Sequence, residues 1–165
     1  MDFIPVITQE ALADLAVVAH DIWHEYWPDH IGLEQTSYMV ERFQSEEVLT
    51  HDIQDKGYVY WLLQSEGRTV GYTGGKIEEE TERFFLSKLY LYAEERGKGF
   101  ASEAIRFYEL FCRENGLKSM YLTVNKGNEL AMRAYLGKGF EVIDAVETDI
   151  GGGFIMDDFI MEKVV

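Results

Sequence analysis

The spacing of apolar residues changes period several times along this chain, and that alternation constrains the fold more than any other feature. Leu12, Leu15, Ala16, Ala19, Ile22 and Trp23 recur at helical spacing behind Thr8, a residue suited to cap a helix starting at Gln9. Pro28 ends that helix, because proline lacks a backbone N–H and clashes with the preceding turn. The pattern predicts a second helix over Leu33–Gln44, with Tyr38, Met39 and Phe43 apolar, and a short third over Glu46–Asp55. Tyr58–Leu63 is then rich in strand formers, Glu66-Gly67 reads as a turn, and Thr69–Ile77 completes a hairpin. Phe84–Tyr92 is a third strand. Ala101–Asn115 returns to helical spacing, with Ala104, Ile105, Tyr108 and Phe111 on one side and Gly116 as the stop. A strand over Ser119–Val124 and a helix over Glu129–Leu136 follow. Phe140–Ile143 opens a strand, and Gly151-Gly152-Gly153 turns into a last one, Phe154–Val164. The order ααα-βββ-α-β-α-ββ predicts an α/β fold with a mixed central sheet of six to seven strands flanked by helices. A bundle or a sandwich would not interleave the two periods this way.

Length and composition agree with one domain over residues 1–165. The chain is 47% apolar and 27% charged, a globular balance that excludes disorder. No apolar run approaches the ~18 residues of a membrane span. The first residues lack the basic and apolar regions of a signal peptide. One cysteine, Cys112, excludes an internal disulfide framework and a cysteine-built zinc site. A soluble, cytoplasmic protein is expected. The net charge of −15 is unevenly spread. Residues 1–55 carry −11, 56–85 carry −1, 86–138 carry +3 and 139–165 carry −6. A basic segment between acidic ends suits a polyanionic small molecule, and the acidic ends attract a cation. Nucleic acid is not an expected partner, since it requires a clustered basic face.

The densest chemistry lies in Leu89-Tyr90-Leu91-Tyr92-Ala93-Glu94-Glu95-Arg96-Gly97-Lys98-Gly99-Phe100-Ala101-Ser102, a strand, a glycine-containing loop and a helix start. Glycine lets backbone N–H groups approach a ligand, and a helix N-terminus adds free N–H groups and a positive dipole end. Together they form a cradle for a pyrophosphate, with Arg96 and Lys98 as cationic donors. The P-loop spacing is absent, and so are the third glycine of a dinucleotide fingerprint and any G-x-S-x-G nucleophile elbow.

Arg96-Gly97-Lys98-Gly99-Phe100-Ala101 resembles the R/Q-x-x-G-x-G/A signature of the GCN5-related N-acetyltransferases (GNAT). Downstream, Leu122-Thr123-Val124-Asn125 ends a strand, and Asn128-x-x-Ala131-x-x-x-Tyr135-x-x-x-Gly139-Phe140 resembles a second segment of that family. The likeness is close over about residues 84–145, and elsewhere it is one of topology. It implies the acyl-CoA N-acyltransferase fold, acetyl-CoA as cofactor, and transfer of its acetyl group to a primary amine by direct attack in a ternary complex. It further implies that the backbone of Leu89, Tyr90 and Leu91 pairs with the acetyl and pantetheine part. The N–H groups of Arg96, Gly97, Lys98, Gly99, Phe100 and Ala101, with Ser102, would hold the pyrophosphate. Asn125 and Asn128 would bond the pantetheine arm or position the next helix, and Tyr135 would sit beside the thioester sulfur. A homodimer is common in the family. The rival readings are a GNAT-like module that binds CoA as a sensor or docking domain without turnover, and a protein N-terminal acetyltransferase.

Chemistry supports Tyr135 as the catalytic residue, since a leaving thiolate has a pKa of ~8.5 and a phenol at ~10 can donate to it. The amine nucleophile, at ~10.4, is neutral in only about one molecule in a few thousand at pH 7, so a base is expected. Glu82, Glu147, Asp149, Asp157 and Asp158 are candidates near strand ends, and the sequence does not rank them. Asp157 and Asp158 sit inside an apolar strand, where aspartate is disfavoured. Alternation sends them to opposite faces, unless they mark a bulge. In the family the acceptor site lies by the first helical region and the last hairpin, so Trp27, His30, Asp157 and Asp158 are the candidate substrate-binding residues. The acidic ends favour a cationic small-molecule acceptor, such as a polyamine or an aminoglycoside. His20 and His24 have the spacing of a helical zinc pair, but no third ligand is evident beyond His30 and no metal is expected. Cys112, on an apolar helix face, is expected to be buried and inert.

Overall fold

The computed structural model describes residues Met1–Val165. Its strands are β1 (Asp2–Pro5), β2 (Val59–Ser65), β3 (Arg68–Glu78), β4 (Arg83–Leu91), β5 (Ser119–Asn125), β6 (Glu141–Gly151) and β7 (Phe154–Val164). Its helices are α1 (Gln9–Tyr26), α2 (Pro28–Ile31), α3 (Leu33–Phe43), α4 (Glu46–Asp55), α5 (Phe100–Glu114) and α6 (Glu129–Gly137). The strands form one seven-stranded mixed sheet in the order β1-β2-β3-β4-β5-β7-β6. No helix is long and apolar enough to cross a membrane.

Two elements differ from the sequence expectation. β1 pairs antiparallel with β2, Asp2 opposite Gln64 and Pro5 opposite Trp61. Four residues are too few to reveal a period, and Pro5 is tolerated because β1 is an edge strand. Pro28 does follow the end of α1, but it also opens α2, because a fixed φ and a missing N–H cost nothing at the first helical position. Thr8 caps α1 as expected, its hydroxyl accepting from Ala11 N at 3.1 Å.

The chain packs as two compact units. The first comprises Met1–Lys76 and Lys88–Ala104. Its core is built on Leu15, Ala19, Ile22 and Trp23 of α1, Leu49 of α4, and Leu63, Val70 and Tyr72 of β2 and β3. A buried chain of hydrogen bonds ties these elements: Trp23 Nε1 donates to Tyr72 Oη at 2.7 Å, and Tyr72 Oη to Gln44 Oε1 at 3.2 Å. The second comprises Ile77–Ser87 and Ile105–Val165. Phe84 stacks on Tyr108 of α5 at 4.9 Å, above Met120, Phe140 and Met161, all essentially buried. Cys112 is buried there, and desolvation pushes its thiol up to about 11, which leaves it unreactive.

β4 pairs in parallel with β5 only over Arg83–Phe85 against Ser119–Tyr121. β5 runs on to Asn125 beyond the last of those pairs, with β7 along its other side. Leu122–Asn125 therefore continue without a β4 ladder.

Candidate active site

In the first unit, β4 ends at Leu91, a single 3₁₀ turn spans Ala93–Glu95, and α5 begins at Phe100. Gly97 and Gly99 have φ of +77° and +88°, the left-handed region that side chains resist. A Cβ at either would meet no atom within 4 Å, so the loop faces open space. Glu103 N bonds Gly99 O at 3.1 Å, which makes Gly99 the helix cap. The N–H groups of Phe100, Ala101 and Ser102 therefore precede the first intrahelical bond and face outward from the helix start. A positive helix end, two left-handed glycines and unfilled space fit a pyrophosphate, so these residues suit the CoA group that the loop sequence implies.

Side chains hold this loop, Glu95 and Arg68 without a role in the sequence reading and Lys98 and Arg96 in place of the free donors expected there. Glu95 is buried and accepts from Arg68 Nε at 2.9 Å, Arg68 Nη2 at 3.0 Å and Lys98 Nζ at 3.1 Å. Those bonds, Arg68 first, hold its carboxyl down to about 2. The Lys98 ammonium is thus engaged as a loop tether. Arg96 lies over the Tyr26 ring at 4.5 Å and donates to Leu91 O at 3.4 Å. Glu25 of α1 accepts from Ala93 N at 3.0 Å. Gly71 is another residue missed in the sequence: a Cβ there would collide with the Tyr90 carbonyl oxygen, so glycine permits the path of β4.

The structure brings Trp27 and His30 together with the end of β4. Trp27 packs edge-on to His30 at 5.9 Å and to Tyr90 at 6.5 Å, and Tyr26 lies 4.5 Å from His30. Trp27 is buried, and its indole N–H has no hydrogen-bond partner. His20 and His24 lie apart from this cluster in role. His24 Nδ1 donates to the His20 carbonyl at 2.9 Å, so its Nε2 accepts from Ser37 Oγ at 3.2 Å. Two helices are tied that way.

In the second unit, Asn125 Oδ1 accepts from Gly127 N at 2.8 Å and Asn128 Oδ1 from Ala131 N at 3.1 Å. The first shapes the turn after β5 and the second caps α6, so both carbonyl oxygens position the helix that carries Tyr135. The half-buried Tyr135 ring meets Phe140 edge-on at 5.4 Å. Desolvation pushes its phenol up to about 12, so the hydroxyl stays protonated at neutral pH.

Asp157 and Asp158 occupy ordinary positions in the ladder, opposite Glu147 and Val146 of β6, and Asp158 also faces Asn125 of β5. The bulge alternative is thereby corrected: the register shifts lie at Val142/Asp144 and Asp149/Gly151, at the two ends of the hairpin. The two aspartates differ in their surroundings. Asp157 Oδ1 is buried as well, but it pairs with Lys126 Nζ at 2.8 Å. Asp158 is only 9% exposed, and its Oδ1 is buried with no hydrogen-bond partner. Desolvation and then the Asp157 charge push Asp158 up to about 6, against the opposing Lys126.

Comparison with known proteins gives three findings. The family model described as the Acetyltransferase (GNAT) family matches residues 19–140. The protein named Uncharacterized N-acetyltransferase YjgM of Escherichia coli (strain K12) is 35% identical over 92 residues, 53% of this chain and 54% of that one. The chain thus matches about half the length of this curated relative. Among solved structures, the PaiA N-acetyltransferase of Thermoplasma acidophilum in complex with coenzyme A superposes with a TM-score of 0.80 at 22% identity, covering 100% of both chains. A spermidine N-acetyltransferase SpeG chimera from Vibrio cholerae and hSSAT gives 0.71 at 18% identity, over 99% of this chain and 96% of that one. At those identities the two structures establish the fold, the acyl-CoA N-acyltransferase fold expected from the sequence.

Proposed function

The chain belongs to the acetyltransferase (GNAT) family, whose enzymes are acetyl-CoA-dependent N-acetyltransferases, and on that premise we propose that it acetylates a primary amine on a small cationic molecule. The observation that carries this reading is the loop Arg96–Ala101, with its two left-handed glycines opening on empty space ahead of α5. We read residues 1–165 as one domain of the family and, because acetyl-CoA is made and used inside cells, assign the reaction to the cytoplasm.

In this reading the N–H groups from Gly97 to Ser102 hold the pyrophosphate, while that of Arg96, expected to join them, is taken by the Ala93 carbonyl at 3.2 Å; the strand backbone of Leu89–Leu91 takes the acetyl and pantetheine end. Bound acetyl-CoA supplies an activated acyl group with a thiol leaving group. The chain's own contribution is orientation, plus hydrogen bonds from fixed N–H groups to the developing charge. Tyr135 donates a hydrogen bond to the departing sulfur. Full transfer of its proton to a thiolate of ordinary pKa is uphill by roughly 5 kcal/mol, so stabilising the sulfur outweighs plain acid catalysis. Trp27, His30, Asp157 and Asp158 contact the acceptor.

The acceptor class follows from charge. Residues 1–55 and 139–165 carry −11 and −6, and a surface of one sign concentrates the opposite ion. The likeness to a spermidine acetyltransferase is consistent with a polyamine. The test is a panel of spermidine, an aminoglycoside, amino acids and an N-terminal peptide, read by free-thiol release and by acceptor mass. Polyamine-dependent thiol release that weakens as salt rises is expected. Acetyl-CoA binding with no release across the panel would turn the reading into the non-catalytic one, and a best acceptor that is neutral or acidic would remove the polyamine. A homodimer, common in the family, belongs to the same reading and is checked by light scattering.

A further inference from the structure

The geometry points to Asp158 as the general base that takes the proton from the acceptor's ammonium group, an assignment that rests on the acetyl-transfer reading above. Five carboxylates near strand ends compete for this role on sequence grounds, and the surroundings of Asp157 and Asp158 separate the two that lie inside one strand. Glu82 is bound to Lys118, and Asp149 Oδ1 accepts from Gly151 N at 2.8 Å in the hairpin turn. Asp157 is held by Lys126 at 2.8 Å. Glu147, opposite Asp157 on β6, is exposed. Asp158 is 9% exposed, on a strand flanked on both sides, with one carboxylate oxygen buried and unpartnered.

A buried acceptor atom without a donor is destabilising, and an ammonium proton would satisfy it. The location is consistent. Asp158 pairs with Asn125, at the end of the stretch of β5 that has no ladder to β4. The charged groups facing Asp158 are Asp157 on its own strand and Lys126 after β5, with Glu147 of β6 acting on Lys126. Their balance leaves Asp158 titrating near 6, ionised at neutral pH yet a stronger base than an ordinary carboxylate.

The step balances. Asp158 takes one proton from the ammonium, which becomes a neutral amine. The amine nitrogen bonds to the acetyl carbon as the carbon–sulfur bond breaks. The departing sulfur is held by the hydrogen bond from Tyr135 and takes up the nitrogen's second proton, and Asp158 releases its own proton to water.

The experiment compares wild type with Asp158→Asn on spermidine, with kcat and KM measured from pH 5 to 10 and folding followed by thermal melt. Asp158→Asn should lower kcat at pH 7 by roughly 10²-fold, leave KM for acetyl-CoA alone and abolish the fall in kcat below pH 6. The defect should shrink on a weakly basic amine such as trifluoroethylamine, which is neutral without help. Asp157→Asn should move the acidic limb to lower pH, because the Asp157 charge helps raise Asp158. A folded Asp158→Asn protein with wild-type kcat and pH profile, raising only KM for the amine, overturns the assignment and leaves acetyl transfer standing. A wild-type protein inactive on every amine overturns both.

Discussion

Lys88 in the first unit and Asp158 in the second are both buried charges, and burial drives each toward neutrality. Desolvation lowers Lys88 to about 8 and raises Asp158 to about 6. Their surroundings differ. Lys88 Nζ donates to Tyr60 Oη at 2.8 Å and lies 5.8 Å and 5.3 Å from the Tyr58 and Tyr60 ring centroids. Gly74 makes room for that arrangement, because any Cβ there would strike the Tyr60 ring. Asp158 has an unpartnered oxygen and no such shell. A buried charge that the fold has surrounded with partners is read as structure, and one left short of a partner as a place for a ligand. The same contrast holds at larger scale. Around the loop of the first unit, Glu95, Arg68 and Lys98 are locked together, as befits a rigid cradle. In the second unit, Tyr135 and Asp158 are both pushed upward by desolvation, the surroundings expected of the hydrogen-bond donor and the base proposed for them.

The largest expected effect tests that division of labour. Tyr135→Phe keeps the ring against Phe140 and removes the hydroxyl. The proposed sulfur contact predicts a loss of roughly 10²-fold in kcat, with KM for acetyl-CoA nearly unchanged. Steady-state kinetics with the best acceptor decides it, and wild-type turnover would reduce Tyr135 to packing. Gly99→Asp should give the reverse pattern. It puts a side chain and a negative charge at φ +88°, where open space now faces the loop. Acetyl-CoA affinity should fall at least tenfold, about 1.4 kcal/mol, in calorimetry on a protein that still melts cooperatively. If both variants moved the same parameter, cradle and proton chemistry would not be separable by unit.

Much of this was readable before the structure. The element order is a matter of period, and a helix such as α4 is marked in the sequence by its cap, Ser45, ahead of helical spacing. The loop was legible because left-handed φ at Gly97 and Gly99 demands glycine, and a demand of that kind leaves a mark in the sequence. β1 was not, because its four residues form a strand only through pairing with β2. Lys98 looked like a free donor, since nothing local announces that Glu95 is buried beside it and that Arg68, far away in sequence, completes the knot. Asp157 and Asp158 were indistinguishable as letters. Their difference arises from Lys126 after β5 and from burial between two neighbouring strands, which are properties of the assembled sheet.

The smallest effects bear on the opening comparison itself, through the pH dependence of stability. Lys88 titrates near 8 in the folded chain and at 10.5 as an ordinary lysine, so its charge is a penalty that is full below pH 8 and relieved as pH rises toward 10.5. Lys88→Met should remove a penalty on the order of 3 kcal/mol, less about 1–2 for the lost hydrogen bond from Lys88 to the Tyr60 hydroxyl. A net gain of about 1 kcal/mol is expected at neutral pH, fading above pH 8. Asp158 runs the other way. Its folded value near 6 lies above the ordinary 3.8, so its penalty is full above pH 6 and relieved as pH falls toward 3.8. Asp158→Asn should therefore stabilise by about 1 kcal/mol, discounted for water that still reaches the group, and the gain should vanish below pH 4. Urea melts of both variants across pH 3 to 11 give the two curves. Opposite windows would mean that both charges are desolvated by the fold. An Asp158→Asn gain that does not change with pH would mean that the carboxylate is solvated in the folded chain, and the contrast with Lys88 would collapse.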